Sequence, residues 1–172
     1  MILRFSIKLG SRLRVGTLKP LPLDDAPVAD WTGHVFFFRR TPYILLCNTA
    51  TLYSAVIYAK GITNDSIFLT QVLTTLRDAM EADGLAFAYE RFIVPRTGLV
   101  HLASTLSRSV TGSMNELVNY AKAVLADDEV SPFDLGFRLN DLLLSASSTD
   151  ESRPYGTPRD AFRALIAESG AP

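Results

Sequence analysis

The sequence predicts an α+β fold: a small antiparallel sheet, built from a three-stranded meander plus a hairpin, packed against helices, with a helical C-terminal extension. Three observations predict it. A run rich in aromatic and β-branched residues, Trp31 to Ala59, is interrupted twice by turn residues. From residue 64 onward, apolar residues recur at spacings of three and four behind polar start signals. Strand and helix patterns do not alternate strictly, which argues against a doubly wound parallel sheet and for helices on one face.

The elements follow in order. "ILRF" is a short strand, and "SIKLGSRL" is a helical turn or two with Ser6 as its cap. Three prolines between Pro20 and Pro27 remove backbone donors and fix φ, so that segment is a surface loop. The meander turns at "RRTP" (39–42) and "NTAT" (48–51), and its middle strand, "YILLC", is apolar throughout. The stripe Leu69, Val72, Leu73, Leu76 and Met80 marks a helix, with Asn64 or Asp65 at its start and Gly84 at its left-handed end. "LAFAYERFIVPRTGLVHLAST" reads as a hairpin turning at "PRTG", with a short helix over 86–93 as the alternative. Ser113 and Glu116 then stand in capping-box spacing ahead of the stripe Leu117, Tyr120, Ala121, Val124 and Leu125. "SPFDL" and "TPRDA" each give a hydroxyl cap, a proline and a first-turn carboxylate, so each starts a helix. The boundaries expected are a core domain over 1–126 and a helical extension over 127–172, with a linker at about 147–156.

Composition bounds the function. With 48% hydrophobic and 20% charged residues the chain is a folded globular protein rather than a disordered one. The net charge of −1 gives no overall attraction to nucleic acid or membrane. Residues 1–40 hold seven basic and three acidic residues, whereas 123–172 hold four and nine. A single cysteine, Cys47, gives no disulfide framework and no cysteine metal cluster, and two histidines are too few for most histidine metal sites. The amino-terminal stretch lacks the pattern of a secretory signal, and the longest apolar runs are too short to span a bilayer, so a cytoplasmic protein without a membrane partner is expected. No cofactor is expected.

"TLSRSVTGSMNEL" (105–117) is the stretch with most chemistry. If Ser113 starts a helix, the free amides of its first turn, the helix dipole, Gly112 as a bend, and Arg108 with Ser109 make an anion-binding loop. The competing reading is capping alone, with Arg108 paired to a carboxylate. A phosphate-binding P-loop is excluded, since no lysine follows the glycine. Nucleophilic catalysis finds no Gly-x-Ser-x-Gly elbow and no Ser-x-x-Lys pair. Cys47 ends an apolar strand, where a thiol behaves as a small hydrophobe. The acidic clusters at 24–25, 126–129 and 149–151 are solvated charges without calcium-loop spacing.

"CNTATLYSAVI" followed by "TLSRSVTGSMNEL", with the initial "M-x-L-R" strand, resembles a bacterial family of unknown function. That family shares an Asn-x-x-Thr-Leu turn and an Arg-Ser-Val-x-Gly-Ser-Met-Asn segment. The resemblance covers roughly residues 1–125 and carries Asn48, Thr51, Arg108, Ser109, Gly112, Ser113 and Asn115. It implies no activity and no cofactor.

The expected function is therefore a non-enzymatic binding or interaction module. Its surface would join Asn48 and Thr51 to Arg108, Ser109, Gly112, Ser113 and Asn115 around an anionic small molecule. The C-terminal helices would dock a protein partner or a second copy. One alternative is an enzyme acting on a phosphorylated or carboxylated small molecule at the same surface. Another is a nucleic-acid-associated protein using Arg39, Arg40, Arg12 and Arg14, with Tyr43 beside them.

Overall fold

Ser6 both ends the first strand, β1 (Ile2–Phe5), and starts the first helix, α1 (Ile7–Leu13), its hydroxyl accepting from the Leu9 amide. From there the chain crosses through the proline-rich loop and a 3-10 turn (Pro27–Ala29) to β2 (Asp30–Phe38). Tight turns then give β3 (Thr41–Asn48) and β4 (Ser54–Tyr58). In this computed structural model, which describes residues 1–147 and 155–170, the meander is antiparallel as the sequence predicts. Residues 148–154 of the expected linker, and with them the acidic 149–151, lie outside the described residues.

The expected second hairpin does not form. Residues Ala86–Ala88 make a turn of α-helix (α3), Tyr89–Ile93 a π-helical turn and Val94–Arg96 a 3-10 turn. The reason lies in the apolar spacing: Leu85, Ala88, Tyr89, Phe92 and Ile93 are buried together, and that is a helical stripe. The second half of the segment becomes β5 (His101–Ser104), which pairs parallel with β1. β1 also pairs parallel with β2, because the crossover through α1 and the proline loop is long enough to reverse direction. The sheet is therefore mixed, in the order β4-β3-β2-β1-β5, and the fold is α+β with helices on both faces rather than one.

Strand parity divides the core in two. Leu3, Phe5, Trp31, Val35, Ile44, Leu46, Ala55 and Ile57 face α1, α2 (Asp65–Ala82), the Ala86–Arg96 segment and α6 (Pro158–Gly170). Phe36, Leu45, Cys47 and Val56 face α4 (Arg108–Asp127) and α5 (Pro132–Asn140). Every residue from Ile44 to Cys47 is fully buried, so β3 is covered on both sides. Gly33 allows the first layer to close, because a β-carbon there would meet Leu9 Cδ2 at 2.6 Å.

The C-terminal helices are integral to these cores. Leu135 and Leu139 of α5 join the second cluster, and Phe162 of α6 is fully buried in the first, stacked on Tyr53 at 4.5 Å and edge-on to Trp31 at 5.8 Å. Arg159 pairs with Asp83, which also accepts from the Tyr53 hydroxyl at 2.6 Å, and with Asp141 at 2.8 Å. The starts of α5 and α6 are as predicted: Ser131 accepts from the Asp134 amide and Thr157 from the Asp160 amide.

Both sheet edges are managed. α5 lies so close on β4 that a β-carbon at Gly136 would stand 3.3 Å from Ala55 Cα. The Asn140 side chain accepts from the Ser54 amide at 2.6 Å and donates to the Ser54 carbonyl at 2.9 Å, taking the place of a neighbouring strand. On the other edge, the Ser104 amide of β5 donates to the Lys19 carbonyl. No helix among the described residues is long and apolar enough to cross a membrane.

Candidate functional site

The motif residues fall into two places. Asn48 is fully buried at the end of β3, and its amide nitrogen donates to the carbonyls of Pro27 (2.8 Å) and Asp30 (3.1 Å). Its oxygen accepts from the amides of Ala50 and Thr51 and from the Thr51 hydroxyl. This closes a turn in which Leu52 takes a φ of 65°. Thr51 is buried too, and its hydroxyl also accepts from the Tyr53 amide. Every polar atom of the Asn48 side chain is thus in use inside the protein, so Asn48 and Thr51 shape a turn and present nothing to a ligand.

Beside that turn lies a buried polar network that sequence reasoning missed. Arg4 and Asp30 are both completely buried and meet through Nε–Oδ1 and Nη2–Oδ2, each 2.7 Å. The other guanidinium hydrogens go to the carbonyls of Leu21 and Pro22. Asp30 also accepts from the Thr49 hydroxyl and the Asp24 amide, and Thr49 bonds Thr32 at 2.8 Å. The prolines of the loop donate nothing, but their neighbourhood supplies carbonyls, and Arg4 fixes them over the sheet. The signal for this was a lone carboxylate leading into an apolar strand, which is stable there only with a partner.

The second motif starts its helix six residues before the expected cap. Ser107 is the N-cap, accepting from the Val110 amide at 3.2 Å, and α4 runs from Arg108. Val110, Met114, Leu117, Val118 and Ala121 continue one apolar stripe backwards through the motif, and burial of that stripe decides the start. Gly112, Ser113 and Asn115 are consequently interior helical positions, and the capping box of Ser113 with Glu116 does not form. Arg108 and Ser109 remain at the first turn, both exposed. Among the described residues Arg108 has no ion-pair partner, so the carboxylate pairing expected under the capping reading is not seen.

A cleft of about 470 Å³ opens where β1 and β5 end. Phe5, Ile7, Val15 and Leu18 give it apolar walls, and Ser6, Ser11, Thr17 and Ser104 supply hydroxyls. From these two adjacent parallel strands the chain enters α1 on one face and α4 on the other. Crevices outside the carboxyl ends of strands, where successive connections part to opposite faces, are where open sheets hold ligands. Ser107 and Arg108 follow Ser104 by three and four residues.

The basic residues do not form one face. Arg4 is consumed in the interior, and Arg12 is half-buried, donating to the Ala59 carbonyl at 2.7 Å. Arg14 is exposed at the end of α1 with a φ of 56°. Arg39 and Arg40 are exposed at the β2–β3 turn.

The remaining chemistry is quiet. Cys47 is fully buried and bonded to the Ser54 hydroxyl, and burial pushes its thiol up to about 12. Burial, followed by Lys8 and Lys122, holds His34 below its ordinary value. His101 is exposed on the edge strand. Burial pushes the Tyr53 phenol up to about 12, which keeps it a neutral donor to Asp83. Among the described residues no three histidine, cysteine or carboxylate groups gather as a metal site.

The chain belongs to the family described as domain of unknown function DUF6933, whose model matches residues 2–161. The match runs through α5 into the start of α6, in keeping with the burial of both helices in the core. No curated protein and no solved structure matches the chain.

Proposed function

We propose that this member of the family is a non-enzymatic binding module for a small anionic molecule. The ligand's body would sit in the crevice at the ends of β1 and β5, and its charged group would lie against the first turn of α4. The observation that carries the reading is the coincidence of a 470 Å³ cleft with the point where two parallel strands send their chains to opposite faces. The amides of Arg108 and Ser109, ahead of the Ser107–Val110 cap, and the Arg108 guanidinium supply donors of the kind an anion takes. The cleft lining supports binding over catalysis, because its side chains are apolar or hydroxyl-bearing and none of them ionises near neutral pH.

The test is thermal unfolding with inorganic phosphate, phosphate monoesters and small carboxylates on wild type, Arg108→Ala and Ser11→Trp. A ligand at about a hundred times its Kd adds roughly 2.7 kcal/mol, or about 5–10 °C for a chain of this size. Wild type should gain that shift with at least one anion. Arg108→Ala should lose most of it, and Ser11→Trp, which fills the cleft, should lose it with larger ligands only. An equal shift in Arg108→Ala, or none in wild type with any anion, defeats the reading. Release of phosphate from an added ester would replace it with the enzyme reading at the same surface.

A further inference from the structure

The β2–β3 turn is built from the wrong residues for its shape. Phe38 pairs with Thr41, so the turn is only two residues long, and its residues Arg39 and Arg40 take φ values of 44° and 67°. Two-residue hairpin turns with positive φ at both positions favour Asn-Gly, because a β-carbon is strained there. This chain instead places two long cations on the strained positions, and strain of this kind persists where function holds it. Both arginines are exposed, and among the described residues neither is paired with a carboxylate.

Aromatic side chains surround them. The Arg39 guanidinium lies 5.1 Å from the centre of the Phe38 ring. On the same face a row crosses three strands: Phe36 stacks on Tyr43 at 5.3 Å, and Tyr43 meets Tyr58 edge-on at 5.7 Å. Exposure rises along that row, from 4% at Phe36 to 47% at Tyr58, and Phe37 on the other face is 54% exposed. A cleft of about 450 Å³ separates Phe38, Arg39 and Tyr43 from the α4–α5 turn, where Asp128 and Glu129 line it. Asp128 is engaged by Arg138 at 2.7 Å.

We propose that this hairpin tip binds single-stranded nucleic acid, with Arg39 and Arg40 on phosphates and the rings of Tyr43, Tyr58 and Phe37 as stacking faces. Paired cations beside exposed rings are the combination that such strands use. The carboxylates choose between polyanions. An acidic peptide would be repelled by Glu129, whereas a nucleotide offers exocyclic amino groups that donate to it. The residues involved are distinct from those of the β1–β5 crevice, so either site stands without the other.

The experiment is fluorescence anisotropy with a labelled oligonucleotide of about 20 thymidines or uridines, a length that covers one such site. Salt is varied for wild type, Arg39→Asn/Arg40→Gly and Tyr58→Ala. The double variant restores the residues the turn prefers, so it should melt higher than wild type while binding at least about tenfold more weakly. Its log–log salt slope should be shallower by about two, one for each lost phosphate contact. Tyr58→Ala should weaken binding with the slope unchanged. Absence of binding at low salt, undiminished binding by the double variant, or equal competition by polyglutamate would each overturn the proposal.

Discussion

Arg4 and Asp30, which stand 26 residues apart in sequence, form a fully buried ion pair with two hydrogen bonds of 2.7 Å. Parallel pairing brings them together, since Arg4 lies opposite Thr32 and Ile2 opposite Asp30 on adjacent strands. Breaking such a pair by removing one partner strands the other charge. Asp30→Ala and Arg4→Met should each cost about 3–5 kcal/mol in urea unfolding. The double variant should cost clearly less than the sum, because neither charge is then left alone. Additive losses would show that the two residues do not act as a pair.

Phe162 ties the last helix to the centre of the protein. It is fully buried against Tyr53 and Trp31, so Phe162→Ala should cost about 3–5 kcal/mol. Trp31 is the only tryptophan and lies in that cluster, so its fluorescence reports on it. Fluorescence and helical circular dichroism should unfold in one coincident transition. An early helical phase at unchanged fluorescence would mean that α6 melts separately.

Asn140 satisfies both backbone groups of Ser54 on the edge strand. Asn140→Ala should cost about 1–3 kcal/mol, the penalty of leaving buried polar groups unpaired. It also bares a strand edge, so gel filtration should reveal more self-association than in wild type. A variant as stable and as monomeric as its parent would refute this role.

His34 makes stability depend on pH. Its folded-state pKa lies below the ordinary 6.5, through burial first and then Lys8 and Lys122. The contribution is therefore fully present above 6.5 and is lost as pH falls through that value toward the depressed folded one. The urea midpoint should drop between about pH 7.5 and about pH 5, and His34→Asn should flatten part of that drop. An identical profile in the variant would assign the dependence to other groups.

Cys47 should be inert in the native protein. Burial raises its thiol to about 12, so near pH 8 almost none is thiolate. Reaction with a disulfide reagent should be at least about a hundredfold slower than in denaturant. Comparable rates would mean that β3 opens readily.

Local patterns alone determined much of this protein. The meander with its two turns, the helices behind Ser6, Asn64, Ser131 and Thr157, and the left-handed Gly84 all follow from residue chemistry within a few positions. Where two local signals competed, burial decided. Ser107 and Ser113 can both cap a helix, and the apolar stripe beginning at Val110 selected the first. Leu85 to Ile93 can turn or coil, and its helical spacing prevailed because that stripe meets the core.

Only the tertiary structure placed β5 beside β1, made the sheet mixed, and turned the motif residues Arg4, Asn48 and Thr51 into interior supports. It also left Arg108 and Ser109 alone of their motif at a helix start, and Arg39 and Arg40 at a strained, exposed tip. The physical reason is range. Caps, turns and apolar periods are set by neighbours in sequence, whereas the pairing of a buried charge, the partner of a strand and the burial of a motif depend on residues brought close only when the whole core condenses.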